Sequence, residues 1–280
     1  MKVMRLLQMT DSTFPVGTFS FSNGLETAAY EGMVNDAASL EQYARSVALQ
    51  GAFSDGVAAL LAYREAMKNN LRGVEEVDSQ LMLFKMNDEA RTMLQRMGRK
   101  MAELSERFYP DNRIISLWHR DIKEELTPGS FPVAQGLAFA AEGLSEEELF
   151  ASHQYGVINM VLGAALRCVR VSHFDTQEIL FRLSEDVPRL YEKARLMRVD
   201  DMNSFVPEAD IFASSRACDS LSPHAFHIRH QDDCPSVCRG VLFRDFHGWP
   251  QILQRGGDVL LRHPVGMHPW RTSRRPSALP

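Results

Sequence analysis

The sequence predicts an all-α protein: a single helical domain of roughly seven to ten helices followed by an irregular C-terminal tail. Three observations carry this. Pro15 is followed by no proline until Pro110, and none lies between Pro132 and Pro188. Such stretches, rich in Ala, Leu, Met, Glu and Arg, favour helix. Apolar residues recur at helical spacing, and alternating strand patterns are scarce before residue 205. The count follows from helices averaging about 11–12 residues.

The first helix is expected over 2–9 and the second over 24–32, with Ser22 or Asn23 as its cap and Glu26 in its first turn. A helix over 39–69 carries Leu40, Tyr43, Ala44 and Val47 at i, i+3, i+4 and i+7. Ser39 with Gln42 reads as its capping box, and a break is expected near Gly51. Helices follow over 74–108, 112–125 and 131–142. Ser145 with Glu146, Glu147 and Glu148 opens the next, over 146–171, with acids where the helix dipole favours them. Its stripe holds Phe150, Val157, Val161, Ala164 and Cys168, and Cys168 reads as a small buried hydrophobe. Asp175 can cap the last helix, over 175–197, which passes through Ile179, Leu180 and Leu183. Loops are expected at 10–23, 33–38, 109–111, 126–130 and 198–212.

The composition changes in kind at residue 213. Residues 213–280 contain nine Arg and no Lys, five Asp and no Glu, for a net +4. With 22 basic and 31 acidic groups, residues 1–212 are net −9. The same tail holds three of the four Cys and six of the nine His. It has no sustained period and is expected to be poorly ordered and dispensable for folding. The domains are therefore drawn at 1–212 and 213–280.

The 280 residues, 45 % apolar and 24 % charged, suffice for a sizeable core. No apolar run reaches 18 residues, and the stretch after Arg5 is too short for a signal peptide. The expectation is a cytoplasmic protein. A net charge of −5 argues against a general nucleic-acid binder. No GxxxxGK[ST], HExxH or GxSxG is present, so no nucleotide loop or hydrolase signature is on view. His119, His153 and His173 are scattered, and a lone helical histidine is commonly a packed or surface residue. Glu75-Glu76 and Glu124-Glu125 read as solvated helical faces. His224, His227 and His230 are spaced by three, with Cys234 and Cys238 beyond. Nitrogen and sulfur ligands could hold zinc or nickel, but the spacing matches no standard motif.

The most informative segment runs from Leu6 to Glu26. Gly17 and Gly24 can supply turn conformations denied to other residues. A structural turn explains the glycines, Pro15 and the caps. It does not explain Phe14, Phe19 and Phe21, since aromatics on a loop plug a groove or meet a partner.

The pattern Leu6-Leu7-Gln8, Asp11-Ser12, Pro15-Val16-Gly17, Phe19-Ser20 and Gly24-Leu25-Glu26 resembles the N-terminal signature of the urease accessory protein UreF family. Gln95-Arg96-Met97-Gly98-Arg99 is similar to the family's mid-chain helix, and Phe131 to Gly136 to its proline-led helix start. Asn159 to Arg167 resembles its small-residue helix. Asp200 to Ile211, with Ser204 and Phe205, is like its closing segment. The chain departs at Gly17-Thr18, where the family often has two glycines, and at Ser172 to Gln177. It departs most after Ser214, where the tail replaces a short family ending. The abrupt loss of Lys and Glu is what a shifted reading frame produces, and a family-like ending in another frame of the genomic DNA is the expectation.

The resemblance implies a non-catalytic scaffold in urease maturation that binds UreD (also called UreH) and recruits the UreG GTPase for nickel insertion into apo-urease. It implies a homodimer within that complex and no cofactor of its own, nickel being handled by the assembly. Neither nucleic acid nor membrane is an expected partner. Partner contacts are expected at Phe14, Pro15, Gly17, Phe19, Ser20, Gly24, Leu25, Glu26, Arg167, Ser204 and Phe205. Gly156, Gly163, Ala164 and Ala165 on one helix would serve the core or a homodimer seam. The alternatives are a metal-binding protein or enzyme using the tail His and Cys, and an unrelated helical interaction module.

Overall fold

The computed structural model describes residues 2–17, 21–85 and 87–202. Among these the chain is all-α: α1 (Lys2–Thr10), α2 (Leu25–Tyr30), α3 (Ala37–Phe53), α4 (Asp55–Met67), α5 (Leu71–Leu83), α6 (Asp88–Phe108), α7 (Arg113–Lys123), α8 (Phe131–Glu142), α9 (Glu146–Cys168), α10 (His173–Ser184) and α11 (Val187–Ala194), then a 3-10 turn, Val199–Asp201. The domain boundary expected at 212 and the expected disorder of the tail lie outside the described residues.

Three of the expected long helices are each divided in two, and local chemistry explains where. The break foreseen near Gly51 falls at Ser54. Its hydroxyl bonds back to the Gln50 carbonyl at 2.8 Å, and its own backbone leaves helical geometry. Gly51 stays inside α3, with Val157 at contact distance. The 74–108 span divides because Asn87 caps α6, accepting the Ala90 N–H at 2.6 Å, with Asp88 and Glu89 in the first turn. The 175–197 span divides before Pro188, which sits in the first turn of α11, where its missing N–H is harmless.

Two caps move by one turn. Asp36, not Ser39, caps α3, and Ser39 is its capping-box partner at N3. Ser172 caps α10, with Asp175 as the reciprocating acid. The Ser145–Glu148 box at α9 forms as read. Neither Ser22 nor Asn23 caps α2. Its N-cap is Gly24, with no side-chain hydrogen bond.

The core is organised around α4 and α8. Pro132 to Phe139 on α8 are all buried, as expected of a helix apolar on every side. Small residues let it approach α4 closely. A Cβ on Gly136 would lie 2.5 Å from the Ala59 carbonyl oxygen and 3.0 Å from the Tyr63 nitrogen. Helices α5, α6 and α9 pack around this pair, α7 lies against α6, and α3 runs along α9. Phe53, Trp118, Phe139 and Phe150 are the largest fully buried side chains. At the periphery, Arg64 joins Glu146 at the start of α9 to the Arg195 carbonyl at the end of α11. Arg45 bridges Glu41 and Asp186. On the stripe of α9, Phe150, Val161 and Ala164 are buried, whereas Cys168 is only half-buried, its thiol donating to the Ala164 carbonyl at 3.4 Å. Glu75 is not a simple solvated acid. Burial and the buried Asp121 carboxyl group on α7, which accepts a hydrogen bond from protonated Glu75 and repels its charged form, push its pKa up.

Candidate functional site

In the segment between α1 and α2, Asn23 reaches α9, its amide donating to Met160 Sδ at 3.7 Å. Asp11 starts the turn, accepting the Thr13 backbone N–H at 2.7 Å and its hydroxyl at 2.6 Å, and these bonds lower the Asp11 pKa. The chain then alternates: Phe14 and Val16 are buried, while Pro15 and Gly17 are exposed. Gly17 has a φ of +88°. Beyond residues 18–20, Phe21 packs partly buried against the core. Asn23 and Gly24 follow with φ of 50° and 82°, two left-handed residues in succession. Tyr43 on α3 pins this turn by donating its hydroxyl to the Asn23 carbonyl at 2.5 Å. A side chain at Gly24 would cost roughly 1–2 kcal/mol in that conformation.

The residues expected to meet a partner therefore divide by burial. Phe14, Gly24 and Leu25 face inward, and Phe14 plugs the fold. Pro15 and Gly17 are on the surface. Glu26 and Arg167 approach each other at 3.6 Å and tie α2 to the end of α9. Phe19, Ser20, Ser204 and Phe205 lie outside the described residues, as do His224, His227, His230, Cys234 and Cys238. Among the described residues no group of three His, Cys, Asp or Glu is placed to hold a metal ion. No described helix is long and apolar enough to cross a membrane.

Beneath the loop is a groove of about 380 Å³ bounded by α3, α6 and α9. Gly156 and Gly163, two turns apart on α9, line it, and a Cβ at either would meet nothing within 4 Å. Ala164 and Ala165 instead are buried in the core. The small residues of α9 thus serve two different surroundings. Replacing Gly163 with Ala is expected to stabilise the chain by about 0.5–1 kcal/mol, because a helical glycine is freed of its entropic penalty without a clash. Thermal melts of the variant and the natural chain check this.

Four residues that line the groove form a buried polar cluster that sequence reasoning did not assemble. Lys85 and Asp55 form an ion pair at 2.6 Å, with side chains only 11 % and 13 % exposed. His153 is buried beside them, its Nδ1 3.0 Å from Gln135 Oε1. Gln135 in turn donates to Ser152 at 3.4 Å. The sequence cues were His153, read as a lone helical histidine, and Gln135 within the proline-led motif. His119, by contrast, is a satisfied core histidine, 2.7 Å from Glu106.

Burial holds the His153 pKa down at about 4, with Lys85 adding to the effect and the Asp55 carboxylate opposing it. The folded ring is therefore neutral where an unfolded histidine, with pKa near 6.5, already binds a proton. Stability present above about pH 6.5 is lost as pH falls toward 4, by up to about 3 kcal/mol. Denaturant melts at pH 7.5 and 4.5 should show this extra loss in the natural chain and not in His153→Gln. Equal losses in the two proteins would refute it.

With this arrangement in view, the relatives are informative. The UreF family model matches residues 34–184, a span from the loop before α3 to the end of α10. The chain is 38 % identical over 212 residues to "Urease accessory protein UreF" of Yersinia pestis (strain Pestoides F), covering 76 % of this chain and 92 % of that protein. The same figures hold for the proteins of that name from Yersinia pseudotuberculosis serotype I (strain IP32953) and Yersinia enterocolitica serotype O:8 / biotype 1B. Family model and relatives agree with the ordered motifs and the all-helical architecture: the chain belongs to the UreF family of urease accessory proteins.

Proposed function

We propose that this chain is a non-catalytic scaffold of urease maturation that binds UreD and recruits the UreG GTPase, so that nickel is inserted into apo-urease by the assembly. The observation that carries this reading is the family match, which runs through the helical domain and extends over nearly the full length of its relatives. The absence from the sequence of a phosphate-cradling loop supports a helper that borrows a nucleotide-hydrolysing partner. Pro15 and Gly17, exposed on a turn held by a helical scaffold, support a contact role for the N-terminal segment. In this reading the chain works in the cytoplasm as a homodimer within the complex and holds no cofactor itself.

Co-expression with UreD and UreG, followed by purification through a tag on this chain, tests the proposal. Recovery of both partners at fixed stoichiometry, with urease activation in the same cells, is the expected result. Clean purification of this chain alone would overturn it. Replacing Phe19 and Phe21 together with Ala is expected to weaken recovery of the complex more than it lowers the melting temperature. Unchanged recovery at unchanged stability would rule out a partner role for the two aromatics.

A further inference from the structure

Helix α6 presents a stripe of cations that the described residues leave largely without counter-charge. From Thr92 to Arg107 its exposed residues are Thr92, Arg96, Arg99, Lys100 and Arg107. They fall within about 100° of one another around the helix axis, so they form one face. Arg96 and Arg107 lie about 16 Å apart along that axis. The opposite face is core: Met93, Leu94, Met97, Met101 and Ala102 are buried, and Gly98 is pressed against the 129–131 backbone. The helix therefore cannot roll, and the cations are held outward on a rigid support.

From Ala90 to Ala102 the chain has four cations and no acid. Glu103 lies within the stripe but serves two cations at once, Lys100 at 3.1 Å and Arg107 at 2.6 Å. Glu106 is engaged with α7, meeting His119 at 2.7 Å and Lys123 at 4.0 Å. Among the described residues Arg96 and Arg99 have no ion pair. Arg182, Arg189 and Arg195, by contrast, each stand beside an acid. Arg96, Arg99, Lys100 and Arg107 against Glu103 leave the stripe at net +3, in a helical region that is net −9.

Charge and exposure select the partner. Like charges held side by side at helical spacing repel, and an opposite charge laid across them relieves this. Arginine takes a carboxylate through two parallel N–H bonds, so a row of Asp or Glu suits Arg96 and Arg99. The stripe has no exposed aromatic ring to stack on a base and no exposed apolar side chain to enter a membrane. A long polyanion would also run beyond the stripe onto a body of its own sign.

We propose that the solvent face of α6 is a docking surface for an acidic segment of a partner protein, with Arg96, Arg99 and Lys100 as its central contacts. The proposal stands independently of the scaffold reading, since it uses only charge and exposure.

The test uses the full chain and a fluorescein-labelled decaglutamate peptide, read by fluorescence anisotropy at low salt. Saturable binding is expected, falling steeply as salt rises. Arg96→Glu, Arg99→Glu and Lys100→Glu together should weaken it at least about tenfold. Arg72→Glu, Arg113→Glu and Lys193→Glu together change the net charge equally, at exposed cations on α5, α7 and α11, and should leave the affinity within about threefold. The nine arginines of residues 213–280 are kept in both variants, so binding through them would survive the reversal on α6. If the α6 reversal does not give a cooperative melt, the three Gln substitutions at the same positions replace it. No saturable binding, equal losses in the two triple variants, or affinity unchanged by the α6 substitutions would each overturn the proposal. So would a DNA duplex that binds more tightly than the peptide and is lost on the same substitutions, which would make the stripe a nucleic-acid face. Complex formation with UreD and UreG is read separately, so failure here leaves that question where it stands.

Discussion

Gly98→Val should leave the helical domain unable to fold. Gly98 lies on α6 where the 129–131 backbone crosses it. A Cβ there would be 2.0 Å from the Gly129 carbonyl oxygen, 2.5 Å from the Ser130 carbonyl carbon and 2.7 Å from the Phe131 nitrogen. All three are backbone atoms at the entry to α8, so no side-chain rotation relieves the overlap. Separating the two segments would open the contact between α6 and α8 and the core beneath it. A loss above about 4 kcal/mol is expected, most of the margin of a domain of ordinary stability. Even Gly98→Ala should be severe. Circular dichroism and a thermal melt decide it, and a cooperative transition within a few degrees of the natural chain would show that α6 and the 129–131 segment are not in contact.

The second large effect is expected at the same junction from the other side. Asp78 on α5 is fully buried and accepts three hydrogen bonds: from the Thr127 hydroxyl at 2.7 Å, the Gly129 N–H at 2.8 Å and the Ser130 N–H at 2.9 Å. It supplies a backbone-like partner to a loop that has left one helix and not yet entered the next. Asp78→Ala strands two buried N–H groups and a hydroxyl, each at about 1–3 kcal/mol, so a total loss of at least about 3 kcal/mol is expected. Asp78→Asn keeps the shape but turns one acceptor into a donor, and should recover only part of that loss. Hydrogen exchange at the Gly129 and Ser130 amides should accelerate in both variants. Unchanged exchange would mean that the loop holds itself. Because Gly98 and Asp78 act on one segment, a double variant should lose less than the sum of the two single losses.

These two residues also show what a motif contains. Gly98 stands within Gln95–Arg99, and Phe131–Gly136 was a second motif far along the chain. In the folded protein the first meets the backbone at the start of the second, and Gly136 then meets α4. Each segment was recognisable as a pattern. The reason for the glycine in each was a close backbone approach between distant segments, which no local rule contains.

The helical class, the approximate extent of most helices and one capping box were legible in the sequence because they depend on residues within one or two turns, whereas the caps at Gly24, Asp36 and Ser172 were placed wrongly. The Ser145–Glu148 box is the legible one, and the left-handed backbone at Gly24 was readable from the glycine in its turn. The breaks after α3 and α5 were blurred, because Ser54 and Asn87 sit in stretches without proline and signal only through a bond to a backbone four or three residues away. Burial of Phe14 was open to either reading, since an aromatic on a loop can point inward or outward with the same local cost. That Asp55, Lys85, Gln135 and His153 come together was not legible in the sequence. The cluster draws on α4, the segment after α5, α8 and α9, and its polar groups become partners only once those elements pack. Helices were decided by short-range hydrogen bonding and side-chain entropy written into the sequence. The groove and the buried polar cluster beside it were decided by packing, where the space left between helices and the loss of water give a histidine and an aspartate a character that neither has alone.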